Sequence, residues 1–306
     1  MKAIRFYEYG GPEVLRYELD VPEPLLARDA VLIEADATSV NPHDWKSRSG
    51  ALREKFPLLF PHISGFDVSG IVRAVGEDVQ SFQIGDRVIA MAQATYAELV
   101  AVPAVTIARL PDGLDPVDAA ALPVAVLTGE QLVRISAQVT AGQTVLVTGA
   151  LGSVGRAAVH AANKLGARVI AGVRARQLSE AAGLQVAGTI AIDDEEALAM
   201  SGKFDAVADT IGRALAEPLM AMIRPGGRYA YTSAIPDGAA DRHPGVSSVT
   251  RVFAQPDADT LRRFAEDVRD GRFAIPVSAR MPLREAGAAQ SRMAAGGGGK
   301  IVLTMR

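Results

Sequence analysis

The chain has 306 residues, with 32 basic and 35 acidic side chains and a formal net charge of −3. This near balance of charge removes any electrostatic argument for a nucleic-acid partner. The absence of cysteine excludes disulfides, zinc–thiolate sites, iron–sulfur clusters and cysteine nucleophiles. Because domains average about 150 residues, we expect two of them. The amino terminus lacks the apolar core of a signal peptide, and no apolar run reaches the roughly 18 residues of a membrane span. We therefore expect a soluble, cytoplasmic protein with no membrane partner.

Residues 1–110 predict short strands, because apolar and β-branched runs alternate there with turns that contain Gly and Pro. Many short strands at this spacing are typical of an antiparallel barrel or sandwich. The predicted strands are Lys2–Phe6, Ala30–Ser39, Val68–Val75, Arg87–Met91, Tyr96–Pro103 and Thr106–Arg109.

After Pro111 the pattern changes to alternating strands and helices, which predicts a parallel sheet covered on both faces. A helical stretch over Pro116–Val139 precedes strands at Thr144–Thr148, Ala167–Val173, Thr189–Ile192, Ala206–Asp209, Arg228–Ser233 and Ser248–Ala254. The chain is then expected to end with a helix over Asp257–Asp270, a strand over Phe273–Arg280, a helix over Leu283–Ala295 and a strand over Lys300–Met305.

A glycine turn joins the strand Thr144–Thr148 to the helix that follows it. The turn is close to G-x-G-x-x-G, with Ala150 in the first glycine position and then Gly152 and Gly155. Glycine allows a pyrophosphate to approach the backbone and the helix to pack on the sheet, while the helix N-terminus offers free N–H groups. The turn therefore predicts dinucleotide binding by Gly149, Ala150, Gly152, Ser153, Val154 and Gly155; the alternative is a tight turn without a ligand.

The end of the next strand indicates which dinucleotide binds. NAD-specific proteins place an Asp or Glu there, on the ribose 2′-hydroxyl. This chain has Arg174 and Arg176 instead, and no carboxylate before Glu180. Guanidinium groups pair well with phosphate oxygens, so we predict NADP(H), with Arg174 favoured because it lies closer to the strand end. The alternative is a pair of solvated surface arginines.

The ordered set of motifs resembles the zinc-independent, quinone oxidoreductase-like branch of the medium-chain dehydrogenase/reductase superfamily. The matching segments are Gly10–Leu15, Asn41–Gly50, Gly65–Val72, Val75–Gly76, Phe82–Val88, Ala121–Pro123, Leu127–Thr128, Thr148–Arg156, Asp209–Gly212, Pro225–Gly227 and Gly299–Leu303. The resemblance implies a GroES-like β-barrel substrate domain over residues 1–117 and 256–306. It also implies a doubly wound Rossmann domain over 118–255, with the active site in the cleft between the two domains.

The resemblance also implies site residues. Asn41 stands where zinc-dependent relatives carry a cysteine ligand and Phe66 where they carry a histidine, so we expect no metal. Asn41 is then the expected catalytic group at the nicotinamide and the substrate carbonyl, since preorganised donors can stabilise an oxyanion; the alternative is an Asn-Pro turn. The resemblance places Thr128, Thr210, Ser233 and Lys300 near the cofactor. Many relatives carry a Tyr where this chain has Ile192, which implies a looser or differently built 2′-phosphate site.

The expected function is hydride transfer from NADPH to a quinone or an α,β-unsaturated carbonyl. Two alternatives are a zinc-free alcohol or ketone oxidoreductase and an NADPH-binding sensory or structural protein with little turnover. His43 and Lys46 are candidates for a proton donor, with surface or cleft-wall positions as the alternative. Ser248–Ala254 is expected to form the edge of the parallel sheet, and an apolar edge invites a second chain, so we expect a homodimer.

Overall fold

The computed structural model describes residues 1–296 and 298–305. The chain divides into two compact units, each described here by itself. The terminal unit comprises Met1–Val124 and Pro256–Arg306, and the central unit comprises Ala125–Gln255. The first boundary follows Val124 rather than residue 117, because the short helix Pro116–Ala119 packs against strands of the terminal unit.

The first part of the terminal unit consists mainly of short strands. Its strands and helices are β1 (Ala3–Phe6), β2 (Arg16–Glu18), β3 (Ala30–Ser39), α1 (Pro42–Arg48), β4 (His62–Ile63), β5 (Asp67–Val75), β6 (Arg87–Met91), β7 (Leu99–Pro103), β8 (Ile107–Arg109) and α2 (Pro116–Ala119). Helix α1 was not expected from the sequence. It begins after Asn41, its N-cap residue. The Asp44 side chain caps the helix by accepting a hydrogen bond from the Asn41 backbone N–H.

The central unit alternates strands and helices. Its elements, counting a helix that begins just before the boundary, are α3 (Pro123–Gln131), β9 (Thr144–Thr148), α4 (Ser153–Lys164), β10 (Arg168–Val173), α5 (Leu178–Ala181), β11 (Gly188–Ala191), α6 (Glu195–Met200), β12 (Phe204–Asp209), α7 (Ala216–Ala221), β13 (Ile223–Tyr231) and β14 (Ser248–Arg251). The expected continuous helix over 116–139 is instead broken between α2 and α3, and it ends in a π-helical turn, Leu132–Ser136.

The chain then returns to the terminal unit with α8 (Ala258–Arg269), β15 (Val277–Pro282), α9 (Ala286–Ala294) and β16 (Lys300–Thr304). In the described part of the chain, one sheet of this unit has the order β15-β16-β3-β5-β6-β8, with β7 also paired to β3. Its pairs are antiparallel except β15 with β16. A smaller antiparallel sheet has the order β2-β1-β4.

The strands of the central unit form a parallel sheet in the order β11-β10-β9-β12-β13-β14. Val145 and Val147 belong to one apolar cluster and Leu146 to another, so alternate side chains of β9 enter cores on opposite faces of the sheet. This is the doubly wound arrangement expected for a Rossmann unit, and the predicted fold class is confirmed. Among the described residues, no helix has the length and apolar character needed to span a bilayer.

Candidate functional site

The glycine turn after β9 is built from backbone that excludes side chains. Gly149 adopts a φ of +59°. A side chain at Gly155 would place its Cβ against the carbonyl oxygen of Gly149, well inside van der Waals contact. The turn and the first turn of α4 are therefore closely packed, and Ala150 between them is completely buried.

The N-terminus of α4 fits a phosphate group. Its N-cap residue is Gly152, which provides no side-chain cap, and its first turn contains no acidic residue. The first N–H groups of a helix have no intrahelical acceptor, and the helix dipole favours an anion there. Ser153, Val154 and Gly155 carry these N–H groups, so the turn retains the donors that a pyrophosphate would take.

Helix α3 contains Thr128 and packs against the first turn of α4. The next residue, Gly129, packs so closely on α4 that a Cβ there would lie 2.5 Å from the carbonyl oxygen of Val154. Thr128 is half-buried beside this contact. The structure therefore places Thr128 next to a residue that packs on the first turn of α4, and its expected place near the cofactor stays a prediction.

Asp209, at the end of β12, organises the loops around the turn. Its carboxylate is fully buried and accepts hydrogen bonds from the hydroxyls of Thr148 and Tyr229. It also accepts from the backbone N–H groups of Ile211 (2.8 Å) and Gly212 (2.9 Å). Burial and the adjacent carboxylate raise the pKa of Tyr229 well above its usual value. Asp209 thus fixes the carboxyl ends of three neighbouring strands, a role that sequence reasoning missed.

Thr210 and Ser233 lie together at this edge. The Thr210 hydroxyl donates to the Thr148 carbonyl (2.8 Å), and the Thr232 hydroxyl donates to the Thr210 carbonyl (3.3 Å). The Ser233 Cβ lies beside Gly212, 3.1 Å from where a Cβ at that glycine would be. Ligands of doubly wound sheets bind beyond the carboxyl ends of the strands, which is where these residues lie.

Arg174 and Arg176 follow β10, the strand next to β9. Both side chains are exposed, and neither guanidinium group makes a hydrogen bond or ion pair with a described residue. The backbone N–H of Ala175, between them, donates to the Asp193 carboxylate (2.7 Å). Along the sequence, the first carboxylate after these arginines is that of Glu180. Asp193 comes from the end of β11, and only the fold brings it to this turn.

In the terminal unit, Asn41 and Lys300 are in direct contact. The Lys300 ammonium donates to the Asn41 side-chain oxygen (2.6 Å) and the Ser39 hydroxyl (2.7 Å), and it pairs with the Asp67 carboxylate (3.2 Å). The Asn41 amide nitrogen donates to Asp67 (2.7 Å) and more weakly to the Ser39 carbonyl (3.5 Å). All four side chains are buried. The amide of Asn41 is thus held on both sides by protein groups, and its expected role toward a substrate stays a prediction.

Asp44 lies next to this cluster. One carboxylate oxygen accepts from the Asn41 backbone N–H (2.7 Å) and the Tyr96 hydroxyl (3.1 Å). The other is buried and has no hydrogen-bond partner among the described residues. Burial raises the pKa of Asp44 to about 7, and the hydrogen bond from the Asn41 backbone opposes this shift. Burial also raises the pKa of Tyr96 well above its usual value.

A cavity of about 320 Å³ opens in the terminal unit and is lined by Pro61, His62, Ile63, Gly65, Phe66, Gln93 and Ala94. Burial lowers the pKa of His62, so its imidazole is neutral at pH 7. The lining therefore offers apolar surface and neutral polar groups. The ring of His43 packs edge-on against Phe66, with centroids 4.7 Å apart, and Lys46 is half-buried in the same helix.

Two family models match the chain. The alcohol dehydrogenase GroES-like domain matches residues 27–112, and the zinc-binding dehydrogenase domain matches residues 186–303. Despite that second name, the described residues contain no group of three or more His, Cys, Asp or Glu side chains that could hold a metal. The absence of a catalytic zinc stays a prediction, based on Asn41 and Phe66.

The chain is also similar to curated proteins. It is 42% identical over 172 residues to quinone oxidoreductase of Sus scrofa, in an alignment that covers 56% of this chain and 52% of that protein. The chain thus spans about half the length of this relative. It is 30% identical over 311 residues to the chloroplast envelope quinone oxidoreductase homolog of Arabidopsis thaliana, covering 94% of this chain and 92% of the relative.

Solved structures share the whole fold. The quinone oxidoreductase from Coxiella burnetii superposes with a TM-score of 0.89 at 28% identity, covering 100% of this chain and 99% of that one. A mycobacterial protein complexed with NADPH has a TM-score of 0.82 at 28% identity over 99% of this chain and 100% of that one. An NAD-dependent alcohol dehydrogenase has a TM-score of 0.84 at 26% identity, covering 100% of both chains.

The fold and the matched domains are those of the medium-chain dehydrogenase/reductase superfamily. Within it, the chain belongs to the quinone oxidoreductase-like branch.

Proposed function

We propose that this protein is an NADPH-dependent oxidoreductase that transfers hydride to a quinone or an α,β-unsaturated carbonyl without zinc. The observation that carries the proposal is the edge of the central sheet where β9 and β10 end. There the N-terminus of α4, without a side-chain cap, follows a glycine turn. Two arginines without a hydrogen-bond or ion-pair partner among the described residues follow the neighbouring strand. The glycine turn supports a dinucleotide, and the arginines support one that carries a 2′-phosphate.

Each group of residues has its own task in this proposal. The N–H groups of Ser153, Val154 and Gly155 hold the pyrophosphate, and Thr128, Thr210 and Ser233 border the rest of the nucleotide. The bound nicotinamide supplies the hydride, so the protein needs only to bind, orient and stabilise charge. Asn41 borders the nicotinamide, and Lys300 acts by holding the Asn41 amide in place (2.6 Å) rather than by touching the cofactor.

The cavity in the terminal unit supports an uncharged substrate. Its lining contains Phe66, Ile63 and Pro61 together with the amide of Gln93 and the neutral imidazole of His62. A flat ring with a carbonyl group matches such a lining, because it offers an apolar face and one acceptor. The relatives named as quinone oxidoreductases point to the same substrate class.

Steady-state oxidation of NADPH with a panel of quinones, enals, enones, simple aldehydes and ketones tests the function. We expect turnover of quinones or enones, unchanged after treatment with a chelator, because no metal takes part. Turnover of simple aldehydes or ketones alone would support the zinc-free alcohol or ketone oxidoreductase. Tight binding of NADPH without turnover of any compound would support the sensory or structural alternative.

Binding measurements test the choice of nucleotide. We expect NADPH to bind about tenfold to a hundredfold more tightly than NADH, because one charge-assisted hydrogen bond contributes about 1.5–3 kcal/mol. We expect each single variant, Arg174→Ala and Arg176→Ala, to lose part of this preference, and Arg174→Ala to lose more. The double variant should lose most of it. A double variant with the full preference would contradict the assignment.

We further propose that the protein acts in the cytoplasm as a homodimer, with no membrane or nucleic-acid partner.

A further inference from the structure

Asp193 lies at the end of β11, next to the arginines that follow β10. The two strands pair in parallel, with Val173 opposite Ala191. The pairing continues past the strands, because the Ile192 N–H donates to the Val173 carbonyl (2.8 Å). This register brings the Asp193 carboxylate to the Ala175 N–H (2.7 Å). The carboxylate is therefore fixed to the residue between Arg174 and Arg176.

Asp193 still has capacity to bind a ligand. Its side chain is exposed, and the hydrogen bond to Ala175 uses only Oδ1. In the described part of the chain, Oδ2 has no hydrogen-bond partner, and neither Arg174 nor Arg176 forms an ion pair with the carboxylate. One negative and two positive groups thus surround a single turn without neutralising one another in direct contacts.

These charges suit different nucleotides. A carboxylate beside the adenosine ribose accepts a hydrogen bond from a 2′-hydroxyl, which NADH has and NADPH lacks. Arginine pairs with the 2′-phosphate of NADPH, whereas a carboxylate close to that phosphate repels it. In the usual arrangement the second strand of the sheet supplies the carboxylate. Here β10 supplies the arginines, and the next strand, β11, supplies the carboxylate to the same turn.

We propose that Asp193 is a specificity-determining residue that accepts from the ribose hydroxyls of NADH and opposes the 2′-phosphate of NADPH. The inference rests on the proposed function, since it places the adenosine ribose at this turn. Cofactor choice is then set by the balance of Arg174 and Arg176 against Asp193. The protein uses NADH more readily than its two arginines alone would allow.

The test is equilibrium binding of NADPH and NADH, measured by fluorescence titration, to the wild type and to Asp193→Asn. The asparagine keeps an oxygen for the Ala175 N–H and removes the charge. We expect NADPH to bind about threefold to tenfold more tightly and NADH about threefold to tenfold more weakly, the size of one exposed polar interaction. Glu196→Gln is the matched control. It removes an exposed carboxylate from the first turn of α6, and we expect it to leave both affinities unchanged.

Three outcomes separate the possibilities. Asp193→Asn with the same NADH/NADPH preference as the wild type would overturn the role of Asp193, even where the arginine variants lose their NADPH preference. Equal effects of Asp193→Asn and Glu196→Gln would overturn it as well. They would indicate that the affinities respond only to the summed negative charge of residues 193–196. A wild type that binds neither nucleotide would overturn the proposed function and this inference together.

Discussion

Gly155 shows how one missing side chain allows a tight turn to form between a strand and a helix. Gly155→Ala would force its Cβ against the Gly149 carbonyl oxygen, and this backbone cannot move without shifting β9 or α4. We expect the free energy of unfolding to fall by about 1–3 kcal/mol, as for other overpacked sites, and NADPH binding to weaken. Urea unfolding and NADPH titration measure the two effects.

The matched control for this change is Gly183→Ala. Gly183 is exposed, and a Cβ there would meet only the Glu180 carbonyl oxygen at 3.5 Å, an ordinary contact. We expect its stability and NADPH affinity to match the wild type. Similar losses in both variants would show that the crowding at Gly149 is not the cause.

Asp44 makes stability depend on pH. Its pKa is about 7 in the folded protein and near 3.8 in the unfolded chain. Between these values the folded state holds a proton that the unfolded state has lost. The contribution of Asp44 to stability therefore falls as the pH rises from about 4 to about 7, by ~1.4 kcal/mol per pH unit at most.

Asp44→Asn removes this titration and retains an oxygen for the Asn41 N–H and the Tyr96 hydroxyl. We expect the variant to gain stability relative to the wild type between pH 5 and pH 8, as measured by urea unfolding. Asp112→Asn, at an exposed position, should show no such gain. If the unfolding free energies of the wild type and Asp44→Asn depend on pH in the same way, the role of Asp44 is contradicted.

At the scale of elements, the Lys300–Asp67 pair joins the first residues of β16 and β5 beside the end of β3. Both side chains are buried, so removal of one leaves a charge without its counter-ion. We expect Lys300→Met or Asp67→Asn alone to cost about 3–5 kcal/mol of unfolding free energy.

The double variant separates charge pairing from other effects. Because it leaves no unpaired charge, we expect it to cost much less than the sum of the two single changes. A double-mutant cycle from urea unfolding gives the coupling energy. Additive losses would indicate that the two side chains act independently.

Sequence patterns predicted the elements whose signals are local. Strands β3, β6 and β9 have the predicted bounds, because each is an apolar run between turn residues. Strand β13 begins earlier than predicted, at Ile223 rather than Arg228, and runs through Pro225, Gly226 and Gly227. Such residues normally argue against a strand, but here they accompany a register shift in the pairing with β12.

The site was predictable to a similar degree. The glycine turn and the arginines lie in one short segment, so spacing alone identifies them. Asp193 and the Lys300–Asp67 pair depend on strand order, and Lys300 lies 233 residues from Asp67. No local pattern contains such a contact. The resemblance placed Lys300 near the cofactor, which stays a prediction, and the structure adds that its ammonium is buried among oxygens of the protein.

For the whole molecule, we predict a homodimer that pairs through β14. In the described part of the chain, this strand is at the end of the order of the central sheet. Phe253 follows it with 44% of its surface exposed. Light scattering at micromolar concentration should give twice the 32.1 kDa of one chain.

A charge at this edge should separate the subunits. We expect Phe253→Asp to give a monomer, whereas Ile84→Asp, at a 67% exposed position of the terminal unit, should leave the mass unchanged. A monomeric wild type would reject the dimer, and a dimeric Phe253→Asp would place the interface elsewhere.

The pairing of β16 with β3 has a consequence for synthesis on the ribosome. All strands of the central sheet come from one continuous stretch of the chain. Ser39 of β3, in contrast, accepts a hydrogen bond from Lys300, which is synthesised 261 residues later. The nascent protein can therefore complete its central unit while the end of β3, Ala37–Ser39, still lacks its β16 partner and Asp67 still lacks the Lys300 ammonium. Until the last strand emerges, the earliest part of the chain to be made carries an open sheet edge. An exposed edge can pair with another chain, so we expect the end of β3 to be protected from aggregation only once synthesis is complete.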